Sequence, residues 1–421
     1  MHANKQSTIA DVLPNIVSVD DHIVEPPTLW LERLPERLRE RGPRTRRELV
    51  GLGGDPADAG DPQARWSDVW YYDGLRVPTL QIWAAKGVKA ALQESGDFDL
   101  SQNEALGATY DEFRPGCYEP AACLADMELN GVDASLGFPN MILRFCGQLF
   151  LNAPDKDLAL LGVRAYNDWL IEEWQRVGAG RLVGALIVPL WDAELAAAEV
   201  YRNAARGGKV VCFSEVPAWL GLPSLHCGYW DPFFSACNET ETVLALHIGS
   251  SSSVHTTSPD APPAVNVVNL YSNSSLSLSD YLLSGLFVRY PNLRLLYAEA
   301  QAGWIPYVLD RLDSMWRSNN LYMRTDLVPE LPSSYYMRHV YSCVFDDRVA
   351  VERLLDLVGP DNLTFETDYP HADSTWPRSK EVAAHNLSGL DDEAVYKILR
   401  GNAIRLLGLD EALLARNGAT A

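Results

Sequence analysis

The chain lacks the marks of several protein classes. Its seven cysteines (117, 123, 146, 212, 227, 237 and 343) are scattered, odd in number and without a C-x-x-C pair. That excludes a disulfide framework and a zinc knuckle. Basic charge is scarce: 35 Lys and Arg stand against 56 Asp and Glu, a net charge of −21. A phosphate backbone would be repelled, so nucleic acid is excluded as a partner. The longest basic stretch, Arg44, Arg46 and Arg47 around Thr45, is expected to be a solvated loop. No stretch of about 18 apolar residues occurs, and the N-terminal MHANKQSTIADVLP has no apolar signal region. A soluble, cytoplasmic protein that does not engage membranes is the expectation. No G-x-G-x-x-G follows the first apolar run, and neither a P-loop nor a G-x-S-x-G is found. Dinucleotide binding, nucleotide binding and serine hydrolysis therefore have no support.

Material for a large core is plentiful. Hydrophobic residues make up 47% of the chain, including 12 Trp, 18 Tyr and 11 Phe, which excludes global disorder. Short apolar runs recur at 16–22 (IVSVDDH), 134–138, 182–189, 209–214, 243–248, 293–298, 340–345 and 363–367. Each is compact and continuous, as strands buried on both faces are. Amphipathic helical patterns lie at 155–177, 192–206, 276–290, 304–318 and 347–357, with another at 391–409. Strand and helix in alternation predict right-handed β-α units. Eight strands predict an α/β fold of the distorted (β/α)₈ TIM-barrel kind, with an open doubly wound sheet as the competing arrangement. The first crossover is anomalous. Residues 27–115 form a long excursion between strands 1 and 2, with a Gly/Pro/Asp-rich loop at 51–62 and an aromatic strand-like piece at 66–82. We expect one domain over 1–421, the excursion capping the barrel or making a subunit contact.

In such a barrel the chemistry sits where strands end. The first run ends in Asp20, Asp21 and His22, with Glu25 just beyond. Period-two alternation puts Asp20 and His22 on one face and Asp21 on the other. The fifth run ends in His247, the sixth in Glu299, and the eighth leads into Asp368 and His371. Carboxylates behind apolar strands are costly to bury without a cation or hydrogen-bond donors. Asp, His, His, Glu and Asp arriving at four strand ends together point to a metal site. Two further side chains are candidates for substrate binding. His226 follows the fourth run, and Arg144, which follows the second, offers a bidentate fork to a carboxylate.

These pieces resemble the amidohydrolase-related family of the amidohydrolase superfamily, the group that includes aminocarboxymuconate semialdehyde decarboxylase and phenolic-acid decarboxylases. The matching segments are VDDHIVEPPTLW (19–30), MELNGVDASLGFPN (127–140), AYNDWL (165–170), ALHIG (245–249), RYPNLRLLYAEAQAGWIPYVLDRLD (289–313), TDYPHADSTWP (367–377) and GNAIRLLGL (401–409). The resemblance implies a distorted (β/α)₈ barrel with Asp20, His22, His247 and Asp368 as metal ligands. Asp368 would also accept or relay a proton, with Glu299, His371 and Glu25 beside it as further catalytic groups. It implies a metal-dependent enzyme that hydrolyses or non-oxidatively decarboxylates a small carboxylated or carbonyl compound, with zinc or manganese as the cofactor.

Departures from the pattern matter. The first strand carries Asp-x-His where hydrolases of the superfamily often have His-x-His. Lys209 begins the fourth run rather than following it, and Glu299 replaces a sixth-strand His. A two-zinc amide hydrolase is thereby disfavoured. The surplus of Glu25, Glu299, His371, Glu215 and His226 leaves two readings open. They orient ligands and substrate around one ion. Alternatively some of them bind a second ion, which would suit a dinuclear non-haem iron or iron–manganese monooxygenase on this fold. The expected partner is a small-molecule substrate, and the acidic barrel with its aromatic insert suggests a homo-oligomer.

Overall fold

All eight apolar runs become strands, and they close on one another. The computed structural model describes residues 13–83, 106–253, 255–318, 323–371 and 374–418. In chain order its strands are β1 (Ile16–Ile23), β2 (Arg44–Val50), β3 (Arg65–Tyr72), β4 (Leu75–Pro78), β5 (Val132–Pro139), β6 (Leu182–Leu186), β7 (Val210–Phe213), β8 (Val243–His247), β9 (Leu295–Ala298), β10 (Val340–Val344) and β11 (Leu363–Phe365). Strands β1 and β5 to β11 form a closed barrel in sequence order, β11 returning to β1, with every pairing parallel. Every residue of these eight strands is buried. Their Val, Leu, Ile, Ala and Phe face either the barrel interior or the surrounding helices, which is why the runs show no polar alternation.

Helices fill the crossovers. Lys156–Trp169 lies between β5 and β6, Ala193–Ala204 between β6 and β7, and Asp231–Thr240 between β7 and β8. The side chains of Asp155 and Asp192 cap the first two by accepting backbone N–H groups, so each helix starts where the sequence places an Asp before an apolar periodicity. The single helix expected at 276–290 is instead two, Ser272–Leu283 and Leu286–Arg289. Gly285, at φ 73°, turns the chain into the left-handed region and ends the first of them. No helix among the described residues is long and apolar enough to cross a membrane.

More than a hundred residues separate β1 from β5. Within them β2, β3 and β4 form an antiparallel sheet with β3 in the centre. The β3–β4 hairpin turns on Asp73 and Gly74, both at positive φ (49° and 83°), as a tight Asp-Gly turn requires. Residues 84–105 of the predicted excursion lie outside the described residues.

The basic stretch is corrected here: Arg44, Arg46 and Arg47 are part of edge strand β2, not a loop. Arg47 stands opposite Asp68 and pairs with it at 2.9 Å, so the charges that argued for solvent also register the edge. The sheet is fastened to the barrel by Trp30, whose ring meets Trp70 edge-on at 5.4 Å and whose Nε1–H donates to the Gly162 carbonyl. Tyr110 ties the far end of the excursion to the loop after β1, donating from its hydroxyl to the Glu25 carbonyl at 2.6 Å.

Candidate metal centre

The C-terminal ends of β1, β8, β9 and β11 converge. From β1 come Asp20 and His22, from β8 His247, from the residue after β9 Glu299, and from the segment after β11 Asp368 and His371. Along β1 the register slips by one residue between Ser18 and Asp21 relative to β5, a bulge at the position where Asp20 is aimed inward. Glu299 and Asp368 both adopt positive φ, 53° and 56°, a left-handed backbone that costs about 1 kcal/mol or more for such residues. Backbone bonds hold them there. Asp368 N–H donates to the Asp20 carbonyl at 2.9 Å, and Glu299 N–H to the Glu366 carboxylate at 3.0 Å.

Within each of two overlapping groups the donor atoms are close enough to share an ion. His22 Nε2 lies 3.2 Å from His247 Nε2, 3.2 Å from Asp368 Oδ1 and 3.7 Å from Asp20 Oδ1. His247 Nε2 is 3.4 Å from both Asp20 Oδ2 and Glu299 Oε2. Such separations are those of neighbouring ligands about 2 Å from a common centre. Two overlapping groups can be drawn: Asp20, His22, His247 and Glu299, and then His22, Glu299, Asp368 and His371. The imidazoles are prepared for this role. His247 Nδ1 faces the Ile248 carbonyl at 2.6 Å, which places the proton there and leaves Nε2 as a lone pair directed at the cluster. Phe145 stacks on the same ring at 4.1 Å, and His22 stacks on His371 at 3.7 Å.

Electrostatics point the same way. Burial, then the neighbouring carboxylates of Glu366, Asp368 and Glu299, push the Asp20 carboxyl well above its ordinary range. Burial lowers His22 and His247, each reinforced by another histidine, so both rings are neutral and free to donate electron pairs. Among the described residues, both Asp20 oxygens and Asp368 Oδ1 are buried without a hydrogen-bond donor. Burying a bare carboxylate costs several kcal/mol unless a cation answers it. The residues therefore fit a divalent metal.

Other predicted residues lie apart from the cluster. Glu25 is fully buried, but its carboxylate accepts the backbone N–H groups of Asn140 (3.1 Å) and Met141 (2.8 Å) and belongs to neither donor group. Burial raises it to about 7. Glu215 likewise accepts from Ser274 Oγ (2.8 Å) and Gly249 N–H (3.1 Å), shaping the loop after His247. His226 is exposed and pairs with Asp280 at 2.6 Å. Arg144 is exposed at the rim of a cavity of about 310 Å³, also lined by Val77, Trp83, Met141 and Phe145. Among the described residues its guanidinium has no acidic partner. The cavity adjoins the cluster through three contacts: Phe145 on His247, the Trp83 ring 5.8 Å from His371, and Asn140 Oδ1 3.3 Å from His371 Nε2.

Sequence reasoning passed over Glu366, Asn140 and Trp83. Glu366, inside the predicted run LTFET, is fully buried beneath Asp20 and Asp368, and burial raises it to about 8. The signal that points to it is a lone carboxylate closing an apolar run, one residue past β11. Asn140 ends GFPN and is oriented by donating from Nδ2 to the Trp83 carbonyl at 2.9 Å, a contact no spacing announces.

Comparisons with known proteins agree with this architecture. The amidohydrolase family profile matches residues 115–409. The 2-amino-3-carboxymuconate-6-semialdehyde decarboxylase of Dictyostelium discoideum is 25% identical over 151 residues, 34% of this chain and 39% of that protein's length. An amidohydrolase from Mycobacterium avium subsp. paratuberculosis K-10 superposes with a TM-score of 0.69 at 21% identity, over 94% of this chain and 99% of the other. The 5-carboxyvanillate decarboxylase of Novosphingobium aromaticivorans, solved with bound manganese, superposes with a TM-score of 0.58 at 17% identity, over 94% and 97%. With the profile spanning more than half of its length, the chain belongs to the amidohydrolase family.

Proposed function

We propose that Asp20, His22, His247 and Asp368, with Glu299 beside them, hold a divalent metal, manganese or zinc, and that the enzyme non-oxidatively decarboxylates a small carboxylated organic molecule. The observation that carries this reading is the set of three buried, donor-less carboxylate oxygens facing two neutral imidazoles. The decarboxylases among the similar proteins, one of them solved with manganese, support the choice of reaction and metal.

When bound, the cation supplies positive charge that fixes a substrate carboxylate and steadies the electrons left behind as carbon dioxide departs. This chain's own groups do the rest. Trp83 and Phe145 offer apolar faces to the body of the substrate in the adjoining cavity. Arg144 gives a fork to a second anionic group at the rim. His371 Nδ1 lies 3.1 Å from Asp368 Oδ1, which places the imidazole at the cavity's inner end. The bond between carbon and carboxyl breaks, its electrons stay on the carbon, and His371 passes one proton, drawn from water, to that carbon.

Hydrolysis is the second reading, favoured by the family assignment and by Asp368 as a base for water. A two-ion site is favoured by the second overlapping group, which adds His371. The monooxygenase alternative gains no support from the named relatives. The deciding experiment supplies the manganese-loaded protein with a panel of hydroxybenzoic acids and aryl dicarboxylates, and separately with aryl amides and esters, in closed vessels. Carbon dioxide released in equal amount to substrate consumed, without oxygen uptake, supports decarboxylation. Release of amine or alcohol from the second panel alone would replace it with hydrolysis.

A further inference from the structure

Asp21 stands between two residues of the donor cluster, yet its carboxylate belongs to neither donor group. It is buried and fully engaged. Four donors converge on it: the hydroxyl of Ser18 (3.1 Å), the hydroxyls of Ser135 and Thr367, and the backbone N–H of Tyr369 (3.1 Å). These come from three neighbouring parts of the barrel, β1, β5 and the segment following β11. Thr367 and Tyr369 flank Asp368, the residue held in the left-handed conformation. One carboxylate oxygen, Asp21 Oδ1, receives both flanking donors. A backbone in that conformation relaxes unless its neighbours are tied down. Asp21 ties down both, and it does so from the strand that carries Asp20 and His22.

We propose that Asp21 is a positioning residue for the metal centre. By bracketing Asp368 it fixes the distance between the first-strand donors and the eighth-strand carboxylate. The inference rests on the metal reading above. Asp20 and Asp21, adjacent and chemically identical, thus have different tasks. The first has two bare oxygens facing the cluster, while the second has its oxygens filled by hydroxyl and amide donors. An outer contact of this kind typically changes metal affinity by about 10- to 100-fold when removed.

The test uses the full chain, stripped with chelator and titrated with manganese alone, free Mn²⁺ being read by electron paramagnetic resonance. Cobalt absorption spectra report ligand geometry on the same samples. Asp21→Ala is expected to weaken Mn²⁺ binding about 10- to 100-fold and to shift the cobalt d–d bands. Asp21→Asn keeps an oxygen for Thr367 and Tyr369, and is expected to stay within about fivefold of wild type with an unshifted spectrum. Should Asp21→Ala fail to fold, Thr367→Val removes one flanking donor without touching the carboxylate and is expected to lose roughly 3- to 10-fold. Wild-type affinity in Asp21→Ala or, where that variant does not fold, in Thr367→Val overturns the proposal. Equal losses in Asp21→Ala and Asp21→Asn also overturn it, because charge rather than bracketing would then be responsible. A wild-type protein that binds neither Mn²⁺ nor Co²⁺ removes the metal reading itself, and this inference with it.

Discussion

His247 illustrates how a single side chain is made ready for a cation. The Ile248 carbonyl accepts a hydrogen bond from its Nδ1–H, Phe145 covers one face, and burial keeps the ring neutral. Replacing it by Ala is expected to reduce bound metal to background, measured by elemental analysis, while the circular dichroism of the barrel persists. Metal retained at the wild-type level would remove His247 from the ligand set. Glu215 gives a second residue-scale test. Its folded pKa of about 7 lies above the ordinary 4.5 because burial outweighs its two hydrogen bonds. A raised acid favours the folded state at low pH. That advantage is complete below about 4.5 and is lost as pH climbs through about 7. Relative to Glu215→Gln, the wild type should therefore lose roughly 2.5 kcal/mol between pH 5 and 8 in chemical denaturation, with the histidine contributions cancelling in the difference. A pH-independent difference would contradict this.

Which residues were legible follows from where they stand. Asp20, His22, His247, Glu299 and Asp368 end apolar strands, and in a barrel that is a position with a known direction. Glu366 sits one strand position too early, so it read as part of the run. Glu25 and Glu215 stand out in the sequence because a carboxylate near a strand end is conspicuous. Only the structure shows backbone amides and a serine filling their oxygens.

At the scale of elements, the eight barrel strands were readable because burial on both faces leaves an unbroken apolar run. Strand β2 was not. Its RTRRELV is half exposed, and its identity depends on pairing with β3, a contact far along the chain. Apolar periodicity extends one helix over 276–290, and one glycine's φ, invisible to that periodicity, divides it. Loops after strands are held by shared carboxylates, and Asp347 is an instance. It caps the helix Arg348–Arg353 through Ala350 N–H (3.1 Å) and also accepts from Ala302 (3.1 Å) and Gly303 (2.7 Å), just beyond Glu299. Asp347→Ala removes a cap and strands two further donors, so a loss of about 2 kcal/mol in urea-denaturation stability is expected. A change within experimental error would show that solvent replaces all three bonds at no cost.

For the whole molecule, the barrel supplies the one property that local sequence cannot: convergence. Residues 20 and 368 are separated by nearly the entire chain, yet β1 pairs with β11 and Asp368 N–H reaches the Asp20 carbonyl. The chain carries a net charge of −21, and inside the fold the carboxylates of Asp20, Glu366, Asp368 and Glu299 bring negative charge together at the cluster. That charge is the reason to expect a cation there. The most direct test is anomalous diffraction at the manganese edge from crystals soaked in Mn²⁺. The account predicts a peak with Asp20, His22, His247 and Asp368 donor atoms about 2.0–2.3 Å away. A well-ordered barrel mouth with no peak, or a peak bound by other residues, would contradict it.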